Sequence, residues 1–329
     1  MARIAVIGAG AWGTALAMVL VRAGGAVGLW ARDPALAATI NRALENPRRL
    51  PGVTLDAAIV ATADARAAIA GAEAVLLAVP AQALRATAAI LAPAWPGAAP
   101  AVICAKGLER ESGKLLSAVV AEALAAAPVA VLSGPGFATE VAAGLPCAVT
   151  LAAADEAIAR GLARTIAGPT FRPYVSTDVI GAQIGGALKN VHAIACGIVD
   201  GRGLGESARA ALITRALAEM RRFGRALGGR VETLAGLCGL GDLVLSCTSG
   251  QSRNYAFGVA LGRGRPPAEA AGGRLVEGAA TTPAVTARAR ELGIDMPIAD
   301  AVEAVIHGGA EVGAEITRLL ARPLRDEAP

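Results

Sequence analysis

The fold is decided at the N-terminus by residues 3–13, which read Arg3-Ile-Ala-Val-Ile-Gly8-Ala-Gly10-Ala-Trp-Gly13. The run before Gly8 is apolar, as in a buried parallel strand, and the residues after Gly13 have helical periodicity. In such a unit the first glycine allows the tight turn, the second lets the backbone approach a pyrophosphate, and the third lets helix and strand pack closely. The stretch therefore predicts dinucleotide binding, against the alternative of a glycine-rich turn beside an empty crevice.

The second strand, Ala26 to Trp30, is followed by the residues that should face the adenosine ribose of the cofactor. An acidic residue at this place favours the free 2′-hydroxyl of NAD, whereas an arginine can pair with the 2′-phosphate of NADP. Asp33 stands before Pro34 and is better explained as a helix N-cap. We therefore predict that Arg32 contacts the cofactor, which is NAD or NADP, with Arg32 favouring NADP.

Further strands alternate with helices until about residue 175, and the pattern is helical almost throughout from about residue 179. The predicted strands are residues 74–79, 101–105, 129–132, 147–152 and 170–175. This order predicts an α/β protein, with a Rossmann-like doubly wound parallel sheet followed by an all-helical C-terminal domain. We place the NAD(P)-binding domain at residues 1–180 and the helical substrate domain at residues 181–329.

Composition excludes several classes of function. The net charge is only +4 and no block of Lys and Arg is long, so nucleic-acid binding is not expected. Ile4 to Val21 is uncharged and long enough to span a membrane, but its three glycines favour strand, turn and helix, so no integral membrane segment is predicted. Five cysteines without a Cys-x-x-Cys pair indicate neither a disulfide framework nor a metal site. These features predict a cytoplasmic protein with a small anionic substrate.

Lys189 is the one charge in the apolar helical run from Gly181 to Val199. A buried ammonium must extend to solvent, pair with a carboxylate, or lie in a cleft where a lowered pKa is used. Lys106 and Gly134 each follow a predicted strand, at the edge of the sheet where ligands bind. The residues alone leave a structural and a catalytic role open for Lys189, and a surface role open for Lys106.

Three polar groups interrupt the helical half: residues 239–242, 251–254 and 276–278. Ser252, Arg253 and Asn254 offer a hydroxyl, a guanidinium and an amide at a helix start, a combination suited to a phosphate monoester. Simpler roles are also open, since Asp242 could begin a helix, Ser252 could be a cap and Glu277 a surface charge.

Seven motifs, taken together and in this order, are highly specific. They are Gly8-Ala-Gly-x-x-Gly13, Ala105-Lys-Gly-Leu-Glu109, Ser133-Gly-Pro-x-Phe-Ala138, Gly185-Gly-Ala-Leu-Lys-Asn-Val191, Leu212-Ile-Thr-Arg-x-Leu-Ala-Glu-Met220, Gly239-Leu-Gly-Asp-Leu-Val244 and Gln251-Ser-Arg-Asn254. Over nearly its whole length the chain resembles bacterial NAD(P)-dependent glycerol-3-phosphate dehydrogenase. The resemblance implies reduction of dihydroxyacetone phosphate to sn-glycerol 3-phosphate for glycerophospholipid synthesis, by a homodimer.

The resemblance also implies roles for individual residues. Lys189 would be the acid/base that protonates the substrate carbonyl as hydride arrives, which suits the alkoxide charge that develops there. The implied substrate-binding residues are Lys106, Gly134, Gly136, Lys189, Asn190, Asp242, Ser252, Arg253 and Asn254. The implied cofactor-binding residues are Gly8, Gly10, Ala11, Trp12, Gly13, Arg32, Lys106, Ala138, Arg253, Leu275 and Glu277.

Two positions depart from the family pattern. Gly136 replaces a usual Ser or Thr, which removes a side-chain hydroxyl, and Ala11 replaces a common Ser. The nearest alternative is a 3-hydroxy acid dehydrogenase of the hydroxyisobutyrate type, but that family expects an asparagine where this chain has Ala193. The other alternative is a non-catalytic NAD(P)H-sensing protein, which would not need Lys189, Asp242 and Arg253 together.

Overall fold

The computed structural model describes residues 2–323 and has an eight-stranded sheet followed by packed helices. The strands are β1 (Arg3–Ile7), β2 (Ala26–Trp30), β3 (Glu45–Asn46), β4 (Leu50–Thr54), β5 (Ile59–Thr62), β6 (Ala74–Leu77), β7 (Ala101–Ile103), β8 (Val129–Ser133), β9 (Cys147–Ala153) and β10 (Phe171–Ser176). The helices of the first half are α1 (Ala11–Arg22), α2 (Pro34–Ala43), α3 (Ala65–Ile69), α4 (Leu84–Leu91), α5 (Leu116–Ala123), α6 (Ala138–Ala142) and α7 (Glu156–Ile166). Those of the second half are α8 (Val179–Gly201), α9 (Glu206–Ala226), α10 (Val231–Leu234), α11 (Asp242–Thr248), α12 (Arg253–Gly262), α13 (Pro267–Ala271), α14 (Glu277–Glu291), α15 (Pro297–Ile306) and α16 (Val312–Leu320).

The predicted Rossmann-like sheet with a helical C-terminal part is confirmed. The strands follow the spatial order β10-β9-β8-β7-β6-β1-β2-β5, so the chain reverses its direction of travel across the sheet beside β1. Apolar clusters cover both faces of the sheet, one including Leu16 and Leu29 and the other including Leu84 and Val120. A third cluster, which includes Leu188 and Phe223, forms the core of the helical half.

The prediction that every strand is parallel is wrong for the last two. β9 pairs antiparallel with β8, and β10 pairs parallel with β9, so both run against the other strands. A parallel crossover must carry the chain back along the whole strand, about 16 Å for five residues. The only helix between β8 and β9 is α6, whose five residues span about 8 Å. The chain therefore turns directly into an antiparallel strand.

The hairpin of β3 and β4 and the edge strand β5 were not predicted from the sequence. β3 has only two residues, and β4 contains Pro51 and Gly52. Such residues are depleted in strands, so local propensity gives a weak signal. β5 extends the sheet beyond β2 and leaves the hairpin next to the glycine-rich turn.

Helix α8 packs its small residues against neighbouring backbones. A Cβ atom built on Gly197 would lie 2.1 Å from the Tyr255 carbonyl oxygen of α12, and one on Gly258 would lie 2.1 Å from the Ile194 carbonyl oxygen. Both distances are far below van der Waals contact, so only glycine permits this approach. The apolar run from Gly181 to Val199 is therefore part of a central helix whose glycines allow close contact with its neighbours.

The boundary at residue 180 stays a prediction, and residues 324–329 of the proposed second domain lie outside the described residues. β10 ends at Ser176 and α8 begins at Val179, with the Asp178 carboxylate accepting a hydrogen bond from the Gly181 amide as N-cap. A cap of this kind fixes the first residue of a helix, and it supports a boundary close to the predicted one.

One segment of the described chain, Val231–Thr248, is long and apolar enough by composition to cross a membrane. It consists of α10, a π-helical turn at Leu237–Gly241 and α11, and it carries the fully buried Asp242. Core helices of soluble proteins also meet this criterion, so it is weak support for a membrane span. The N-terminal window Ile4 to Val21 forms β1, the turn and α1, as predicted.

Candidate active site

The glycine-rich turn has the geometry that a bound dinucleotide requires. Gly8 has a φ of +114°, and a Cβ atom on Gly13 would lie 1.9 Å from the Gly8 carbonyl oxygen. Contacts within the protein therefore require glycine at positions 8 and 13, independently of a bound dinucleotide. Around Gly10, by contrast, nothing lies within 4 Å of a built Cβ atom. The space over Gly10 is open toward the start of α1, where a pyrophosphate would meet free backbone amides.

This contrast gives a prediction for Gly10→Ala. The substitution should cost at most about 1 kcal/mol of stability, because alanine is only a poorer N-cap than glycine. Its methyl group should occupy the space of the pyrophosphate and weaken NADPH binding about tenfold or more. Calorimetric titration with NADPH and thermal unfolding of the same sample measure the two effects. Gly13→Ala is the comparison, in which the fold itself should be destabilised, and unchanged NADPH affinity in Gly10→Ala would contradict the assignment.

The end of β2 agrees with the prediction for Asp33. Its Oδ1 accepts a hydrogen bond of 2.9 Å from the Ala35 amide, so Asp33 is the N-cap of α2, with Pro34 in the first turn. Arg32 is exposed beside it. Whether Arg32 binds cofactor stays a prediction, and its exposure leaves it free to do so.

Lys106 connects the sheet to the helical half. It lies just after β7, and its ammonium donates a hydrogen bond of 3.2 Å to the Gly134 carbonyl oxygen, which follows β8. The same Nζ also pairs with Oδ2 of Asp242, at the start of α11. The loop is braced by Glu109, which receives two hydrogen bonds of 2.8 Å from Arg85. The ends of two strands and the start of a helix thus meet at one ammonium group.

Lys189 lies on the other side of Asp242. Its Nζ is 2.7 Å from Oδ1 of Asp242 and donates a hydrogen bond of 2.9 Å to the Ser246 hydroxyl. Asp242 is fully buried, whereas 13% of the Lys189 side chain and 15% of the Lys106 side chain are exposed. One buried carboxylate therefore holds two ammonium groups, and both reach the crevice between the sheet and the helices. Asp242 is also the first residue of α11, so the helix-start role that the sequence left open for it is present together with the pairing.

Removal from water lowers the pKa of Lys189 from 10.5 to about 8, because burial penalises the charged form. The nearby Lys106 ammonium lowers the pKa as well, while Asp242 and, more weakly, Glu277 raise it. A lysine with a pKa near 8 can give up or take a proton near neutral pH, which an ordinary lysine cannot do efficiently. The geometry therefore supplies a proton donor at the edge of the sheet.

A second polar cluster joins α8, α12 and α14. Asn254 donates a hydrogen bond of 2.9 Å to the side-chain oxygen of Asn190, and its own oxygen accepts one of 2.9 Å from the Gly278 amide. Ser252 is the N-cap of α12, accepting a hydrogen bond from the Tyr255 amide, and Arg253 is exposed next to it. The cap role left open for Ser252 is thus present. A hydroxyl, a guanidinium and the positive end of a ten-residue helix face the same region, which favours an anion there.

Gly136, one of the remaining predicted residues, lies beside Trp12. A Cβ atom on Gly136 would lie 3.2 Å from the Cys147 sulfur and 3.3 Å from Cη2 of Trp12. A serine at position 136 would therefore need one of these neighbours to shift, which explains why this chain has glycine there. The Trp12 indole N–H is buried and has no hydrogen-bond partner among the described residues. Ala11, Ala138 and Glu277 are partly buried, and Leu275 is 48% exposed.

Sequence reasoning missed Ser246 and the pairing of Lys106 with Asp242. Ser246 lies four residues after Asp242 on α11, so helical spacing placed both on one face. The pairing of Lys106 with Asp242 had no such signal, since 136 positions separate the two residues.

Two family models match the chain. The model described as "NAD-dependent glycerol-3-phosphate dehydrogenase N-terminus" matches residues 3–159, and the model for the C-terminus of that family matches residues 178–317. Two glycerol-3-phosphate dehydrogenases (NAD(P)+) are similar over almost their full length. That of Rhodospirillum rubrum is 57% identical over 326 residues, covering 98% of this chain and 93% of the relative. That of Caulobacter vibrioides is 55% identical over 328 residues, covering 99% of each.

Solved structures agree with these matches. A crystal structure of glycerol-3-phosphate dehydrogenase from Coxiella burnetii superposes with a TM-score of 0.93 at 41% identity, covering 98% of this chain and 99% of the other. A ketopantoate reductase of Ralstonia eutropha superposes with a TM-score of 0.59 at 18% identity, covering 95% of this chain and 99% of the other, which shows a shared fold alone.

Proposed function

This chain belongs to the family of NAD-dependent glycerol-3-phosphate dehydrogenases, and we propose that Lys189 is the residue on which its reaction depends. The chain is an oxidoreductase that interconverts dihydroxyacetone phosphate and sn-glycerol 3-phosphate with NAD(P)H and NAD(P)+. The observation that carries the assignment of Lys189 is its buried contact with Asp242, 2.7 Å long, at the edge of the sheet.

The first half of the chain fits a dinucleotide. The space over Gly10, beside the N-terminus of α1, is open, and the unpartnered Trp12 N–H offers a donor. When bound, the nicotinamide would supply or accept the hydride. Gly8, Gly10, Ala11, Trp12 and Gly13 would hold the pyrophosphate, and the other proposed contacts are Arg32, Lys106, Ala138, Arg253, Leu275 and Glu277.

Lys189 would deliver the proton in the direction of reduction. As the substrate carbonyl carbon gains hydride, its oxygen develops negative charge and takes a proton from Nζ of Lys189. Asp242 keeps Lys189 and Lys106 in fixed positions, so both positive charges would face this oxygen. Asp242 and Ser246 each accept a hydrogen bond from Nζ, which leaves the third ammonium proton free for the substrate. In the reverse direction neutral Lys189 would remove the hydroxyl proton.

The phosphate of the substrate would bind at the start of α12. Ser252 and Arg253 supply a hydroxyl and a guanidinium there, and the helix dipole favours the negative charge. Gly134 and Gly136 would approach the substrate with backbone atoms only. The side-chain nitrogen of Asn190 has no hydrogen-bond partner among the described residues. The side chains of Asn190 and Asn254 would contact the hydroxyl end of the substrate.

The Lys189 pKa of about 8 predicts opposite pH dependences for the two directions. Reduction needs the ammonium form, which is present below this pKa, so kcat/KM for dihydroxyacetone phosphate should fall as pH rises through about 8. Oxidation needs the neutral amine, so kcat/KM for sn-glycerol 3-phosphate should rise over the same range. The substrate phosphate titrates near pH 6 and does not obscure the transition. Profiles that move in the same direction would remove Lys189 as the proton donor.

The decisive assay follows NAD(P)H absorbance with and without dihydroxyacetone phosphate. We expect oxidation of NADH, NADPH or both only when the substrate is present. Hydroxyisobutyrate and 3-hydroxypropionate with NAD(P)+ test the 3-hydroxy acid alternative, which the family match does not favour. Cofactor binding without turnover on any of these substrates would support the sensing alternative and contradict the proposal.

We also propose that the protein is a cytoplasmic homodimer that supplies sn-glycerol 3-phosphate for glycerophospholipid synthesis. The resemblance to the family supports the dimer and the metabolic role, and the cysteine usage supports a reducing compartment. Light scattering after size exclusion gives the mass in solution, which should be twice that of the 32.6 kDa chain.

A further inference from the structure

Arg48 lies in the turn between β3 and β4, close to the loop that follows β2. Its Nη1 is 3.5 Å from Oδ2 of Asp33, and 77% of its side chain is exposed. Arg32, which precedes Asp33 in the chain, is exposed too. Two arginines therefore adjoin Asp33, at the place where dinucleotide-binding sheets hold the adenosine ribose.

The turn that carries Arg48 is fixed to the glycine-rich turn. Asn46 is fully buried, and its side-chain nitrogen donates hydrogen bonds of 3.0 Å to the Ala9 carbonyl oxygen and 2.8 Å to the Thr14 hydroxyl. Leu50, on the other side of the turn, is also fully buried. Arg48 is thus an exposed guanidinium on a turn that Asn46 holds to the glycine-rich turn on one side and that Leu50 fixes in the apolar core on the other.

The contact between Arg48 and Asp33 is easily replaced. An exposed pair at this distance is worth no more than about 1 kcal/mol, and Oδ1 of Asp33 is already used to cap α2. A phosphate monoester near neutral pH carries almost two negative charges. An arginine can bind such a group through two parallel hydrogen bonds, so a phosphate beside Arg48 would compete well with the Asp33 carboxylate.

We propose that Arg48, together with Arg32, binds the 2′-phosphate of NADP, and that the Asp33 carboxylate limits the preference for this phosphate over the 2′-hydroxyl of NAD. The inference rests on the proposed function, because it requires a dinucleotide whose ribose lies at the end of β2. Arg48 is then a specificity-determining residue. Asp33 has opposing effects, since it caps α2 and repels the phosphate.

Calorimetric titration with 2′,5′-ADP and 5′-AMP tests the proposal without turnover, because these probes carry the adenosine ribose with and without the phosphate. Arg48→Gln should lower the affinity for 2′,5′-ADP about five- to tenfold and change the affinity for 5′-AMP less than about twofold. Asp33→Asn keeps a good N-cap and removes the charge that repels the phosphate. It should therefore raise the affinity for 2′,5′-ADP about threefold. The effects should shrink as salt is added, because the groups are exposed.

Arg42→Gln is the matched control. It removes the same charge at the far end of α2, about 14 Å along the helix from Asp33, and should leave both affinities unchanged. If Arg48→Gln lowers the affinities for both probes equally, or leaves the affinity for 2′,5′-ADP unchanged, the role of Arg48 is overturned. If Asp33→Asn does not raise the affinity for 2′,5′-ADP, the role of Asp33 is overturned. Titration of the wild type with NADH and NADPH separates the two proposals. Binding of either cofactor with unchanged selectivity in the variants contradicts only this inference, whereas binding of neither contradicts the proposed function.

Discussion

Replacing Lys189 by methionine is expected to lower kcat for dihydroxyacetone phosphate reduction on the order of a thousandfold, with NADPH affinity unchanged. Methionine keeps the apolar stem but has no proton to give, so the alkoxide that forms on hydride transfer is not neutralised. The Lys106–Asp242 pair remains, and it is charge-balanced. The fold should therefore be at least as stable as that of the wild type, because one of two buried positive charges has been removed. Stopped-flow NADPH oxidation and NADPH titration measure the two quantities.

Two further variants separate proton transfer from charge. Lys189→Arg keeps the positive charge but cannot release a proton in this pH range, so it should remain inactive and lose the pH transition near 8. Lys114→Met removes an exposed lysine paired with Glu122 and should behave like the wild type. Substantial turnover by Lys189→Met would reassign the acid to another residue, with Lys106 the nearest candidate.

Replacing Asp242 by asparagine should have the second-largest effect, and it should act on stability and chemistry together. The substitution leaves Lys106 and Lys189 close together without the carboxylate between them. Breaking a buried pair in this way costs about 3 kcal/mol. Because Asp242 raises the pKa of Lys189, its removal should lower that pKa below about 8. The fall in kcat/KM for reduction should then begin at lower pH, and activity at pH 7 should drop on the order of a hundredfold.

Glu219→Gln is the matched control for a buried carboxylate. Glu219 is 1% exposed and accepts hydrogen bonds from the backbone amides of Ile298 and Ala299, and its Oε2 lies 3.2 Å from Nε2 of His192. It is not among the charged groups that shift the pKa of Lys189. Its loss should destabilise the helical half without moving the pH profile. If Asp242→Asn loses stability but keeps the wild-type profile, the carboxylate is structural and does not set the protonation of Lys189.

Much of the fold could be predicted because its signals are local. Apart from β5, the strands of the eight-stranded sheet were located to within two residues at each end, since each is a short apolar run bounded by turns. The N-cap role of Asp33 followed from its position before Pro34. β3 and β4 could not be predicted, because Pro51 and Gly52 conceal a strand that tertiary packing imposes. The antiparallel direction of β9 also could not be predicted, since the direction of a strand depends on the path of the connection that precedes it and not on the residues of the strand.

The sequence by itself determined the dinucleotide fold and the family, and it predicted the reacting groups, because each of these depends on residue types at fixed spacing. Only the tertiary structure decided how those groups act on one another. Lys106, Lys189 and Asp242 come from separate parts of the chain, and folding places one fully buried carboxylate between two largely buried ammonium groups. The pKa of Lys189 depends on that burial and on those charges, which no local pattern encodes.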